Sequence, residues 1–475
     1  MGAMREAVRS GDWVTRERMR LVAFGLLIAF AAALAWLAGT ANGLNDAWGR
    51  PLGTDFSNVY AAGTLVLDGQ PQAPFDPALQ YAREQVIFGA QTPFYGWHYP
   101  PFFLAIATVL ALMPYKLALL AWQASTLAFY LLALRAIVGD PDARAHLPPS
   151  DEGGGSLPTQ PDPLWLVLAL AFPAVFINLG HGHNGFLTAA LIGAALASLD
   201  RRPLLAGVLI GLIAYKPQLG ILFPLVLAAT GRWRSFATAA ATVAALAVIT
   251  TLAFGVSVWD AFLASTHFTR ITVLEAGETG WHKIQSVFSL VRMLGGPVAL
   301  AYAAQSAVTV MLAAALVWLW RAPVEFSLKA AALIIASLLA TPYSLDYDMT
   351  ALAPAIAFLA VHCTTVLHHM KKRRWQRCGS RRWWPVASPR QSWCRWACSR
   401  WLPCSASSCT APHKRRGCSN DGIHPNIPQV EAIFSRIAGF PDNIIGDLSA
   451  VAEARTKPPL LPQRNVHKAA LQEPH

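Results

Sequence analysis

The first 362 residues contain no cysteine; all seven stand at Cys363 or beyond. The body of the chain therefore has neither a disulfide framework nor a thiolate metal site. Charge is scarce as well. Only 13% of the 475 residues are Asp, Glu, Lys or Arg, against roughly 25% in soluble domains. No internal repeat is visible, whereas secondary transporters usually carry paired inverted repeats with broken helices at matching positions. No clear small-residue cleavage site follows the first apolar run. That run, 21–44, has a basic flank but reads as a retained helix rather than a signal peptide.

Apolar sequence fills the space that charge leaves. Hydrophobic residues make up 54% of the chain, and mean hydropathy is +0.38. Runs of about 17–25 residues recur, each long enough to cross a hydrocarbon core of roughly 30 Å. Candidate spans are 21–43, 100–113, 117–138, 164–178, 185–199, 203–215, 217–230, 234–254, 297–320, 327–341 and 349–369. Several are short or broken by Pro and Gly, which is tolerated where a segment lines a protein cavity. The expected fold is an all-α polytopic membrane protein.

Basic loops mark the cytoplasmic side. Arg16, Arg18 and Arg20 place the N-terminus there, together with Arg201-Arg202, Arg232, Arg234, Arg321 and the Lys371–Arg374 cluster. Counting spans forward puts the flexible connector 139–162 outside; counting back from Arg201 puts it inside. A re-entrant 164–178 resolves the conflict, as does a single crossing within 100–138; the shortness of 164–178 and its Gly/His end favour the first. The net charge of +12 belongs to the end of the chain: residues 1–370 hold 20 basic and 20 acidic residues, and 371–475 hold 18 and 6.

Asp55 stands just past the first span, in GTDFSNVYAAGTLVLDGQ (53–70). Ionisable groups at a bilayer edge are costly and default to functional hypotheses. Phe56, Val59, Tyr60, Gly63 and Leu67 follow at helical spacing, which predicts a helix lying on the membrane surface. Four more polar clusters end spans on the same outer face. They are Trp97-His98-Tyr99-Pro100-Pro101, His181-Gly182-His183-Asn184, Tyr215-Lys216-Pro217-Gln218 and Tyr343-Ser344-Leu345-Asp346-Tyr347-Asp348. Together they would ring one pocket at the membrane–water boundary. Trp97, Tyr99 and Tyr343 also fit plain interfacial anchors. Lys216, between two apolar runs, needs a counter-anion. Asp68 and Asp76, before Gly and Pro, read as turn residues. Residues 277–292 form a second outer amphipathic segment, whose Trp281, His282 and Lys283 suit surface anchoring or contact with an acceptor or headgroup.

These motifs, in this order and spacing, resemble glycosyltransferase family 87. The stretches concerned are TDFSNVYAAGTLVLDG, YPPFFLAIA, INLGHGHNGFLTAALI, AYKPQLGILFPLVL and TPYSLDYDMTALAPA, covering about residues 20–365. At the GHGHN turn the family often has Gly-Gln-x-Asn, and here His183 replaces the Gln. The resemblance implies a GT-C-like bundle of about ten to twelve transmembrane helices in a bacterial inner membrane, its active site facing outward. It implies a polyprenyl-phosphate-linked sugar donor, mannose-like, and a glycolipid or glycan acceptor, with no metal, cofactor or nucleic acid. Asp55 would be the general base that takes the acceptor's proton. Lys216 and one of His98, His181 or His183 would stabilise the leaving phosphate. Asn184, Gln218, Tyr343, Asp346 and Asp348 would complete the substrate site, although Asp346 and Asp348 equally suit capping of the last helix. The rival from another class is a secondary transporter using Asp55 and Lys216.

The membrane domain is expected to end near residue 370. Beyond it, residues 371–418 hold 13 Lys or Arg, six Trp and six of the seven Cys, with no acid. The cysteines are not spaced as paired CxxC knuckles, which argues against zinc. A basic, Trp-rich arm on the membrane surface is one reading. The preferred one is a frameshift: leucine codons CTG read one base late in GC-rich DNA become TGG or TGC, which encode Trp or Cys. Resequencing the locus tests it. Another frame downstream of codon 370 is expected to encode an apolar stretch of about 20 residues; no such stretch in any frame refutes it.

Overall fold

The structure, a computed structural model, describes residues 15–139 and 163–363. The connector, the expected domain boundary near 370 and the basic tail lie outside the described residues. Within them the chain is helical, with isolated bridges and no strand. It is an all-α polytopic membrane protein.

Helix α1 (Arg16–Gly39) starts at Thr15, whose side chain accepts a hydrogen bond from the Arg18 N–H. Then come α2 (Thr54–Leu67), α3 (Pro77–Phe88), α4 (Phe103–Ala111) and α5 (Tyr115–Val138). Asp76 caps α3 by accepting from the N–H groups of Ala78 and Leu79, and Asp68 pairs with Arg83. Helices α6 (Leu164–Ala171) and α7 (Pro173–His181) meet at a bend of 53°. Pro173 causes the break, since it lacks the N–H that would continue α6. Helices α8 (Gly185–Ser198) and α9 (Pro203–Leu212) follow, then a short turn Pro217–Gly220 and α10 (Leu222–Ala229). Next are α11 (Trp233–Phe254), α12 (Ser257–Phe268), a π-helical turn Thr269–Glu275, α13 (Val287–Met293), α14 (Val298–Arg321) and α15 (Phe326–Leu339). Residues 346–351 form a 3-10 turn that leads into helix at 352–363.

Among the described residues, α1, α5, α11 and α14 are long and apolar enough to cross a membrane, and α6 with α7 makes a fifth if counted together. The other expected spans are present as helices of roughly half that length, because Pro203, Pro217 and their neighbours interrupt them. Nine-residue α4 would extend only about 14 Å at 1.5 Å per residue, so 100–138 holds one crossing, α5.

Cross-contacts give its direction. The Tyr115 hydroxyl donates to the Leu52 carbonyl, placing the start of α5 beside Asp55. Further along α5, Trp122 bonds to Gly182, Gln123 to Leu179 and Tyr130 to Ala169. The partner numbers fall as α5 advances, so α6 and α7 run back antiparallel to it and end beside Asp55. The favoured re-entrant reading of 164–178 is therefore corrected: it is part of a bent return crossing.

Helix α2 also departs from expectation. It does not lie open on a membrane surface; Phe56, Val59, Ala62 and Gly63 are buried, and α2 packs tightly on α4. A Cβ added at Gly63 would stand 2.1 Å from the Ala107 carbonyl oxygen. Backbone therefore meets backbone there, and no flexible side chain can yield. The central helix is α8, buried nearly all round, as its Gly- and Ala-rich sequence allows.

Gly63→Ala is predicted to destabilise the fold by overpacking, by about 1–3 kcal/mol. The measurement is a lower melting temperature of detergent-purified protein; an unchanged one refutes the close α2–α4 approach.

Candidate active site

Two glycine turns bring the first acid and the first histidine together. Gly53 (φ +68°) precedes α2, and Gly182 (φ +65°) follows α7. A Cβ on Gly182 would sit 2.7 Å from the Phe56 Cβ and 3.3 Å from the Gly53 Cα. Glycine at both turns lets the chains touch. His181 Nδ1 then lies 2.7 Å from the Thr54 hydroxyl and 3.5 Å from Asp55 Oδ2. Asp55 occupies the first turn of α2, where the helix dipole favours a negative charge.

The Asp55 side chain is 22% exposed, enough to meet a substrate. Burial raises its pKa above the ordinary carboxylate value. His181 opposes that rise, Asp346 adds to it, and Lys283 and Lys216 oppose it from farther away. Lys283 arrives with Trp281–Lys283, a segment zipped to the late loop by the Ile284–Leu345 bridge and by the Gln285 N–H donating to the Ser344 carbonyl at 2.6 Å.

A second cluster adjoins the first. Lys216 Nζ donates to Asp348 Oδ1 at 2.5 Å, with both side chains buried. The other Asp348 oxygen accepts from the Leu345 N–H at 3.1 Å. Lys216 also stands 5.1 Å from the Tyr347 ring centre. The Tyr347 ring stacks on His183 at 3.4 Å, and His183 Nε2 meets the Tyr99 hydroxyl at 2.9 Å. Burial, then the Lys216 charge, pushes the His183 pKa well down, so its ring is neutral.

Several buried polar atoms here have no protein partner: His183 Nδ1, both amide atoms of Asn184, and the Ser344 hydroxyl. Buried polar groups are nearly always paired, so a group of unpaired ones beside a charged cluster marks a place for a polar ligand.

The expected site residues separate accordingly. Asp55, His181 and Asp346 share one electrostatic environment, and Lys216, Asp348, His183 and Tyr347 form the stacked cluster next to it. Each Asp348 oxygen has a partner, so Asp348 holds Lys216 and caps the 3-10 turn. Asp346 uses one oxygen to accept from the Tyr347 N–H at 2.8 Å. Tyr343 is half-buried, its backbone N–H donating to the Thr341 hydroxyl; Gln218 is half-buried on the turn after Pro217. His98 Nδ1 lies 2.9 Å from the Thr269 hydroxyl on the π-helical turn, and burial lowers its pKa to about 4.

Glu84 carries no functional signal in the sequence. It reads as a solvated helix charge in AREQ, yet it is wholly buried. Its carboxyl accepts from the N–H groups of Tyr95 and Gly96 and from the Gln80 amide, and Gln80 also donates to the Asn58 carbonyl. Glu84 thus ties the loop bearing Trp97–Pro101 to α2. Burial raises its pKa to about 7. Thr54, which meets His181, carried no signal of its own beside Asp55.

A bundle of apolar helices with polar residues gathered at one end defines a membrane-embedded protein. Residues 97–342 match glycosyltransferase family 87. The match covers more than half of the chain, and the protein belongs to that family. It is a membrane glycosyltransferase, not the transporter that the sequence left open. Asp55, Tyr343, Asp346 and Asp348 lie outside the matched residues, so their roles rest on geometry. No curated protein and no solved structure matches the chain.

Glu84→Ala is predicted to leave the Tyr95 and Gly96 N–H groups unsatisfied and to cost about 1–3 kcal/mol, read as a lower melting temperature. The pH dependence has a definite sign. With a pKa of about 7 when folded against 4.5 as the ordinary value, the folded state binds the proton more tightly. Its contribution is fully present below pH 4.5 and is lost as pH rises through about 7. Glu84→Gln is predicted to flatten that fall; an unchanged pH profile would refute the assignment.

Proposed function

We propose that the protein moves a hexosyl residue, mannosyl-like, from a polyprenyl-phosphate-linked donor to a glycolipid or glycan acceptor, with Asp55 as general base. The observation that carries this reading is Asp55 itself. It is a partly exposed carboxylate in the first turn of a helix, 3.5 Å from His181.

In a single displacement the acceptor oxygen forms a bond to the anomeric carbon as the carbon–oxygen bond to the donor phosphate breaks. The electron pair leaves with the lipid phosphate, and Asp55 takes the acceptor's proton. Its raised pKa makes it a stronger base than an ordinary carboxylate, and His181 sets how far that rise goes. His181 therefore tunes Asp55 rather than binding phosphate. Lys216 spends one N–H on Asp348 and keeps two more, which suits it to the developing charge on the leaving phosphate. The partnerless amide of Asn184, the Ser344 hydroxyl and the uncommitted oxygen of Asp346 suit sugar hydroxyls. Leaving as a phosphate monoester, the carrier needs no metal. By the positive-inside rule the basic loops are cytoplasmic and the rim faces the periplasm of a bacterial inner membrane.

Asp55→Asn is predicted to lower transfer by about 10²–10⁴-fold. Its melting temperature should not fall, because burial already disfavours the charge that the substitution removes. The assay uses purified protein in detergent with EDTA and polyprenyl-phosphate mannose, glucose, arabinose and galactose. In the wild type the rate falls as pH drops through the Asp55 pKa, above the ordinary carboxylate range. Wild-type rates from Asp55→Asn sink the base assignment, loss of activity in EDTA sinks metal independence, and use of the arabinose donor alone sinks the hexosyl assignment.

A further inference from the structure

A second polar site lies at the other end of the same helices. Helix α8 leaves the Asn184 turn and ends at Ser198, a run of 14 residues or about 21 Å. Helix α15 starts at that far end and returns to the Thr341–Asp348 loop. Between these helix ends is a cavity of about 510 Å³ lined by Asp200, Thr230, Arg232, Trp320, Phe326 and Lys329, among others.

Its donors are incompletely used. Arg232 pairs with Asp200 through Nη1, but its Nε is buried without a partner. Trp320 is 4% exposed, and its Nε1 is also buried without a partner. Lys329 Nζ gives one hydrogen bond, to the Trp320 carbonyl at 3.1 Å, and has two N–H groups left. Arg232 lies over the Trp320 ring, 5.8 Å from its centre. Two cations face one acid, and the spare groups are all donors. Unused donors around a net positive cavity call for an anion with several acceptor oxygens.

The setting makes that anion a lipid headgroup. Trp320 and Arg321 are consecutive on α14, and each lines a different hollow. Trp320 lines the polar cavity; Arg321 lines an open apolar groove of about 970 Å³ between α10 and α14, with Leu225, Val310, Ala313 and Val317. Trp233 and Trp318 are exposed nearby, 60% and 71%, as tryptophans are at a membrane–water boundary. A free anion would leave the groove without a role, and a neutral lipid would leave the cations without one.

We propose that this site binds an anionic phospholipid. Arg232, Lys329 and the Trp320 Nε1–H hold its phosphate, and the groove between α10 and α14 takes an acyl chain. The site is remote from the rim and does not depend on the identity of the transferred sugar.

Native mass spectrometry of the full chain, purified in detergent and mixed with phosphatidylglycerol or phosphatidylcholine, tests it. One phosphatidylglycerol should be retained in preference to phosphatidylcholine and should resist millimolar inorganic phosphate. Arg232→Gln with Lys329→Gln should weaken retention by about ten-fold or more, the scale of losing charge-assisted hydrogen bonds. Should that variant not fold, Trp320→Phe, which keeps an aromatic side chain but replaces the indole and so removes its N–H, should still weaken retention. Equal retention of both lipids, displacement by free phosphate, preference for a polyprenyl phosphate, or undiminished binding by folded variants would each overturn the proposal.

Discussion

A lysine ammonium and an aspartate carboxylate, 2.5 Å apart and almost wholly buried, hold the polar end of this bundle together. Lys216 sits in the break after α9, and Asp348 in the turn after α15. Neither could stay charged in so apolar a setting alone. Such a pair adds little net stability relative to hydrophobic replacement, but losing one partner strands the other and costs about 3–5 kcal/mol. The pair therefore fixes geometry more than it stabilises. Through Asp348 it orders the Leu345 turn. Beside it Tyr347 is pinned between Lys216 and the His183 ring, and His183 in turn is held by Tyr99.

That ordered cluster forms one wall of the rim that holds Asp55. The other wall is the contact between the Gly53 and Gly182 turns, which sets His181 against Thr54 and Asp55. A carboxylate there experiences two opposing influences: burial favours its protonated form, while His181, Lys216 and Lys283 favour its charge. The balance suits a base that must be unprotonated before reaction and must hold a proton after it. The site proposed at the far ends of the same helices is built differently, with two cations facing one acid.

Much of this was legible in the sequence, for identifiable reasons. Apolar runs located the helices, Pro and Gly marked their breaks, and the helical spacing from Phe56 to Leu67 marked α2. The motifs drew attention to Asp55, His181, Lys216 and the Tyr343–Asp348 loop. What stayed hidden depends on pairing. Nothing in AREQ distinguishes the buried Glu84 from a solvated charge, because its partners are backbone N–H groups eleven and twelve residues away. Lys216 announced a missing anion but not which one, since Asp348 is 132 residues distant. The direction of 164–181 was misread because a proline bend and a re-entrant hairpin look alike in one dimension; only the run of contacts from Trp122 to Tyr130 separates them. The Thr269 partner of His98 was hidden in the same way, being 171 residues distant.

In the proposed reaction, transfer is one displacement assisted by Asp55 as a base, and the stereochemistry of the product reports on that step directly. Proton NMR of the glycosidic linkage formed from a donor of known anomeric configuration is the measurement. Inversion at the anomeric carbon is the predicted result. Retention would require two displacements, with a carboxylate bonded to the sugar in between, and would contradict the role assigned to Asp55.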